Sequence, residues 1–188
     1  LNYITLISSS ILLMPVCYSY VLYPLFVVIV SKSKENNNIQ YNADELPSIT
    51  IIMAAHNEEL IIEKKIESIF SSSYAREKIQ LIVGTDCCND ATDSILAKQT
   101  DIYPELTHII FKERQGKIRI INNLVKQSKN EILILTDANV LFSTKTLASL
   151  VRHFKNDSIG LVDSHMKNYG LSSSGISYPE QSYISLEV

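Results

Sequence analysis

SITIIMAAHNEE, residues 48–59, is a nearly continuous apolar, β-branched run as far as Ala55 and then turns abruptly polar. A strand covered on both faces reads this way, because neither face needs alternating polar side chains. Behind it Ile62, Ile66, Ile69 and Phe70 recur at helical spacing, after an acidic first turn of Glu58 and Glu59. The same unit repeats downstream. QLIVG (80–84) predicts a strand, Ser94 to Gln99 a short helix, and HIIF (108–111) another strand. A helix follows over Lys117 to Gln127, with Ile118, Ile121 and Val125 in register. EILILTDA (131–138) reads as a strand, Leu147, Leu150, Val151 and Phe154 as a helical stripe, and IGLVDSHM (159–166) as a closing strand. Strand–helix alternation of this kind predicts an α/β fold with a doubly wound, mostly parallel sheet.

Ligands of such sheets bind outside the carboxyl ends of the strands, where the strand order reverses. AAHNEE (54–59) ends the first predicted strand, TDCCND (85–90) the second and TDAN (136–139) the fourth. Three polar clusters thus converge on the edge that binds ligands.

Bulk composition bounds the partners. The chain has 188 residues, 46% hydrophobic and 20% charged, with a formal net charge of −3. Without a basic surplus it is not built to neutralise a nucleic-acid backbone, so no nucleic-acid partner is expected. Its three cysteines, Cys17, Cys87 and Cys88, form no disulfide framework or CxxC pair. Residues 1–31 contain no charge, and ILLMPVCYSYVLYPLFVVIV (11–30) is long enough to span a bilayer. Pro15 and Pro24 are tolerated in membrane helices, and Tyr18, Tyr20 and Tyr23 suit an interface. A cleaved signal peptide fits less well, because no basic segment precedes the apolar run. Lys32 and Lys34 follow at once, which by the positive-inside rule places the rest in the cytoplasm. The expected organisation is a transmembrane anchor (1–31), a polar, Asn-rich linker (32–47) and a globular domain (48–188).

Converging carboxylates suit a divalent cation and a phosphorylated ligand. Mg2+ or Mn2+ takes oxygen donors, commonly one or two protein carboxylates plus substrate phosphates and water. Asp137 offers such a carboxylate and Asn139 a neutral amide oxygen; on an extended strand, i and i+2 point the same way. The plainer reading of Asn139 is a turn residue. Asp86 is placed to accept hydrogen bonds from a base or ribose, or to cap the next helix, a role that suits Asp90 better. His56 is either a stacking surface for a base or a satisfied turn histidine. RQGKIR (114–119) sets Gly116 and Lys117 at a helix start, a combination that favours phosphate. No GxxxxGK[ST], GxGxxG or GxSxG motif occurs, which argues against NTPase, dinucleotide and hydrolase chemistry.

Taken in order, these segments resemble glycosyltransferase family 2, whose members have the GT-A fold. ITIIMAAHNEE is similar to the family's opening strand and YNEE turn, with His56 where tyrosine is usual. LIVGTDCCNDATD resembles its DGSTD segment, with Asp86 on the first Asp, Cys87 on the Gly, Cys88 on the Ser and Asp90 on the second Asp. ERQGKIRIINNLV resembles the R-x-GK-x-x-ALN helix, and ILTDANVLF the DxD strand end, with Asn139 at the last acidic position. The resemblance covers about residues 48 to 188, and an N-terminal membrane helix fits the family's polysaccharide synthases.

The resemblance implies inverting transfer of a sugar from a nucleotide-diphosphate donor, often a UDP-sugar, to a glycan or lipid acceptor. By position, Ala55, His56, Glu58 and Asp86 would hold the nucleotide, Lys117 would lie near the nucleotide or diphosphate, Asp137 would touch ribose or metal, and Asn139 would ligate the metal. One negative charge of the family's metal motif is missing. The family's general base follows well after the DxD and is expected beyond Val188, so the chain reads as C-terminally truncated and inactive by itself. A helix is expected over SYPEQSYISLE (177–187). Two other readings stand beside this one: a non-catalytic nucleotide-sugar-binding relic, and an unrelated receiver-like α/β domain. The receiver reading wants a phospho-acceptor Asp after the third strand, where HIIFKER offers none.

Overall fold

The computed structural model describes residue 3, residues 13–31 and residues 39–164, in two compact units divided between Asn38 and Ile39. Within the first unit the described residues 13–31 form a helix, α1, whose span Leu13–Val30 has a mean hydropathy of 2.0 and is long and apolar enough to cross a membrane. Its turn at Tyr18–Leu22 is π-helical, with Tyr23 N bonded to Tyr18 O. The widening sits just before Pro24, which has no N–H to return to Tyr20.

The second unit alternates strand and helix: β1 (Ile49–Ala55), α2 (Ile62–Phe70), β2 (Ile79–Asp86), α3 (Thr92–Ile102), β3 (Leu106–Phe111), α4 (Lys117–Val125), β4 (Ile132–Thr136) and α5 (Thr146–Val151). The strands form one parallel sheet in the order β3-β2-β1-β4. From β1 the chain winds outward to β2 and β3, then returns to the other side of β1 for β4. The order therefore reverses between β1 and β4, and a ligand crevice belongs at their carboxyl ends.

Alternation along the strands sorts the core into two layers. Ile49, Ile51, Met53 and Ala55 face Ile62, Ile66 and Ile69 of α2, Leu96 of α3, and Leu147 and Val151 of α5. On the other face Ile52 and Ile82 meet Ile120 and Leu124 of α4. That helix lies so close that a Cβ on Gly84 would stand 2.7 Å from Ile120 Cγ2.

Three expectations are corrected. The stripe expected on α4 is rotated: Ile118 is 77% exposed, while Ile120 and Leu124 are fully buried. The bare backbone at Gly84 admits these two side chains and so sets which face of α4 turns inward. Residues 159–164 form no strand, because Leu161 meets no sheet and is 85% exposed; His165 and Met166 lie outside the described residues. Residues 39–47 are no free tether. Leu46 is buried, Tyr41 packs against the main core, and Tyr41 N donates to Arg152 O at 2.9 Å. The helix expected within 177–187 lies outside the described residues.

Candidate functional site

At the reversal point lies a cleft of about 250 Å³. Ala54, Ala55, His56 and Glu58 reach it from β1 and its turn, and Asp86 from the end of β2. Arg114, Gly116 and Lys117 enter from the start of α4, and Asp137, Ala138 and Asn139 from the loop after β4. Every site residue expected from sequence, namely Ala55, His56, Glu58, Asp86, Lys117, Asp137 and Asn139, lines this one cleft. Arg114 was missed as a site residue, although it stands in the quoted RQGKIR segment.

Two loops form the floor by bonding to each other. Asn89 N donates to Asn57 Oδ1 at 3.0 Å, Glu58 N to Thr92 Oγ1 at 2.8 Å, Glu59 N to Asp90 Oδ2 at 3.1 Å, and Ala91 N to Glu59 Oε2 at 2.9 Å. Asp90 Oδ1 also accepts from Thr92 N at 3.0 Å; it is not the helix cap expected from sequence, a position held by Ala91, but satisfies the first helical amide from the residue before that cap. Each turn pivots on a left-handed residue, Asn57 at φ 56° and Cys87 at φ 54°. Asn tolerates that region; a cysteine there is strained, and Cys87 is the residue aligned with the glycine of DGSTD.

Asp86 is a clamp. Its side chain is 6% exposed, and its two oxygens accept from Gln115 N at 2.7 Å and Gly116 N at 2.9 Å, with Arg114 Nε 3.8 Å away. The Gln115 amide, then that of Gly116, and the guanidinium hold the carboxyl below the usual range against the opposing effect of burial. Gly116 can turn both amides inward because it sits at φ 83°, a conformation open to glycine. Asp86 thus ties the end of β2 to the start of α4.

His56 is bonded through both ring nitrogens. Nδ1 lies 2.6 Å from Asp86 O, a carbonyl that can only accept, so Nδ1 carries the proton. Nε2 then accepts from Arg114 Nη1. The geometry is that of a satisfied turn histidine.

Asp137 and Asn139 do not stand on an extended strand. β4 ends at Thr136, and Val140 N donates to Asp137 O at 3.3 Å, closing a turn around Ala138 and Asn139. Ala138 is buried at 2% exposure and anchors that turn, leaving the carboxylate and the carboxamide on its outer side. Asp137 Oδ1 accepts from Lys117 Nζ at 2.6 Å, between two half-exposed side chains. Among the described residues no three His, Cys, Asp or Glu side chains gather into a metal cage. One carboxylate and one amide oxygen beside a cleft instead fit a hard cation that arrives with phosphate and keeps its own waters. Lys65 was also missed. It lies fully buried under this turn, its amine pushed down to about 7 by burial, which the Asp137 charge opposes.

The model of glycosyl transferase family 2 matches residues 50–184, well over half of the chain. The chain belongs to that family. The probable glycosyltransferase YdaM of Bacillus subtilis (strain 168) is 25% identical over 119 residues, 62% of this chain and 28% of the relative. Poly-beta-1,6-N-acetyl-D-glucosamine synthase of Staphylococcus aureus (strain COL) is 25% identical over 122 residues, 65% of this chain and 29% of the relative. The chain therefore spans under a third of the length of these curated relatives. Mannosyltransferase PcManGT from Pyrobaculum calidifontis, solved in complex with GDP-Man and Mn2+, matches with a TM-score of 0.68 and 26% identity. That match covers 78% of this chain and 44% of the mannosyltransferase. The α/β architecture with its parallel sheet is thus the GT-A type that the sequence resembles.

Proposed function

We propose that this chain forms the donor-binding part of a glycosyltransferase that moves a sugar from a nucleoside-diphosphate donor, often UDP-linked in the family, to a glycan or lipid acceptor with inversion. The carrying observation is the convergence of Asp86 from the end of β2, Lys117 from the start of α4, and Asp137 and Asn139 from the loop after β4, on one cleft at the switch point. In this reading Ala55 and Glu58 line the nucleoside's side of the cleft, while His56 and Asp86, whose polar atoms are bonded within the protein, hold its walls in place. Lys117 and the start of α4 take the diphosphate, because an ammonium and a helix N-terminus both favour negative charge. Asp137 and Asn139 hold Mn2+ or Mg2+, which when bound neutralises charge developing on the diphosphate leaving group. The complex of the related mannosyltransferase with GDP-Man and Mn2+ supports this reading. Lys117 must exchange its carboxylate partner for phosphate, which leaves Asp137 free for the cation.

A second reading, a nucleotide-sugar-binding relic without turnover, draws support from Asn139, which contributes no charge to the cation. Calorimetry with UDP and with GDP, with and without Mn2+, tests both. Binding should tighten with Mn2+; Asp137→Ala should abolish the tightening and Asn139→Asp should increase it, because a charged oxygen replaces a neutral one. Metal-independent affinity in all three proteins would sink the site assignment. Donor turnover by the Asn139→Asp variant alone would favour the relic.

The apolar helix α1 and the lysines after it support membrane anchorage with the sheet domain in the cytoplasm, where nucleotide sugars are made.

A further inference from the structure

Lys65 occupies a core position of α2. Ile62, Ile66 and Ile69 share its helical face, and all four side chains are fully buried. Burying an amine is costly, and a methionine of similar length would fill the space without that cost. The position therefore calls for an explanation beyond packing. Lys65 Nζ donates to Thr136 Oγ1 at 2.9 Å and also to Val140 O. It stands 3.6 Å from the centroid of the Phe142 ring, which meets the amine with its electron-rich face. One turn along, Ser68 Oγ donates to Lys65 O at 2.8 Å and accepts from Phe142 N at 3.2 Å. The face of α2 thus grips the chain immediately before Asp137 and immediately after Asn139.

We propose that Lys65 is a positioning residue of the donor site: from beneath, its amine fastens both ends of the turn that presents Asp137 and Asn139. The inference rests on reading the cleft as a nucleotide–metal site. Asp137 and Asn139 are exposed and belong to no strand, so their spacing depends on what holds Thr136 and Val140. Lys65 reaches both. It touches neither donor nor cation and acts through the turn alone, as partners behind metal ligands do.

Two variants test this. Lys65→Met keeps the length and removes the donor; Thr136→Val removes one acceptor and leaves the amine. Amide hydrogen exchange and calorimetry with UDP or GDP, with and without Mn2+, are read for both and for the parent chain. Lys65→Met should exchange faster at Val140 and Phe142 than the parent. Its Mn2+-dependent gain in nucleotide affinity should fall roughly tenfold or more, with metal-free affinity unchanged. Thr136→Val should show the same pattern more weakly, and it decides the question if Lys65→Met does not fold. A parent chain with a Mn2+-dependent gain that Lys65→Met leaves intact would overturn the proposal while sparing the site. Unchanged exchange at Val140 and Phe142 in a folded Lys65→Met would overturn it whether or not nucleotide binds. A parent without any Mn2+-dependent gain removes the site reading and the donor-site role of Lys65 with it, whatever exchange shows.

Discussion

Gly84→Ala should damage stability and ligand binding together, although Gly84 contacts no ligand-facing side chain. The glycine lies in β2 with an ordinary strand backbone, so alanine meets no dihedral obstacle. The obstacle is α4. The added methyl carbon would sit 2.7 Å from Ile120 Cγ2 and 3.1 Å from Leu124 Cδ2. Carbon atoms prefer roughly 3.5–4.0 Å, so the helix or its side chains must give by about 1 Å. Overpacking of this kind costs about 1–3 kcal/mol, and the stiffer unfolded chain returns about 0.4–1, leaving a net loss of about 1–2 kcal/mol. Urea unfolding followed by circular dichroism reads it, since the chain has no tryptophan to report by fluorescence. The midpoint should fall with an unchanged slope. Because α4 begins with Lys117, nucleotide affinity should fall as well. A double-mutant cycle isolates the cause: in an Ile120→Ala background the worst contact is gone, and Gly84→Ala should cost less than about half as much. An equal cost in both backgrounds, or no cost in either, would refute the close-approach argument.

Asp86→Asn should destabilise by about 1.5–3 kcal/mol near neutral pH, because a carboxamide cannot accept from both loop amides as a carboxylate does. The native carboxyl is held low, chiefly by the Gln115 amide, so its stabilisation is complete above the ordinary carboxylate pKa. It drains as pH falls from that value to the lowered native one, so the gap between parent and variant should narrow in that window; a gap independent of pH would count against the clamp. A reporter fused after Ser31 should be active in the cytoplasm, and activity confined to the opposite side would reverse the proposed topology.

The alternating elements were legible because β1 and β2 are buried on both faces, which leaves runs such as ITIIMAA with no competing interpretation. The site was legible for a related reason: polar clusters that interrupt such runs fall at strand ends, and one parallel sheet brings those ends together. What escaped depended on three-dimensional detail. Lys65 sits inside an apolar stripe, and a lysine there reads as solvated until its acceptors, Thr136 and Val140, are known to lie opposite. The inward face of α4 is set by the missing side chain at Gly84, a contact between separate elements that periodicity within the helix does not encode. Residues 39–47 looked like a linker because Tyr41 and Leu46 are isolated among polar neighbours, and the partners that bury them lie far along the chain. For residues 159–164 the apolar run suggested a strand, yet a strand needs an edge to pair with as well as the right composition.

The order of the sheet also has a consequence for synthesis. β1 pairs along both edges, with β2 on one side and β4 on the other. Ile79, the partner of Ile49 in β2, follows it by roughly 30 residues, whereas Ile132, its partner in β4, follows by roughly 80. At about 5–20 residues per second, a ribosome leaves the second edge of β1 bare for roughly 4–16 s. In the second half of that interval the turn of His56 and Glu58 and the carboxylate of Asp86 already exist, while the segment bearing Asp137 and Asn139 is still to come. The nascent cleft is a one-sided shelf, and only the arrival of β4 gives it the wall against which the proposed diphosphate and cation would be held.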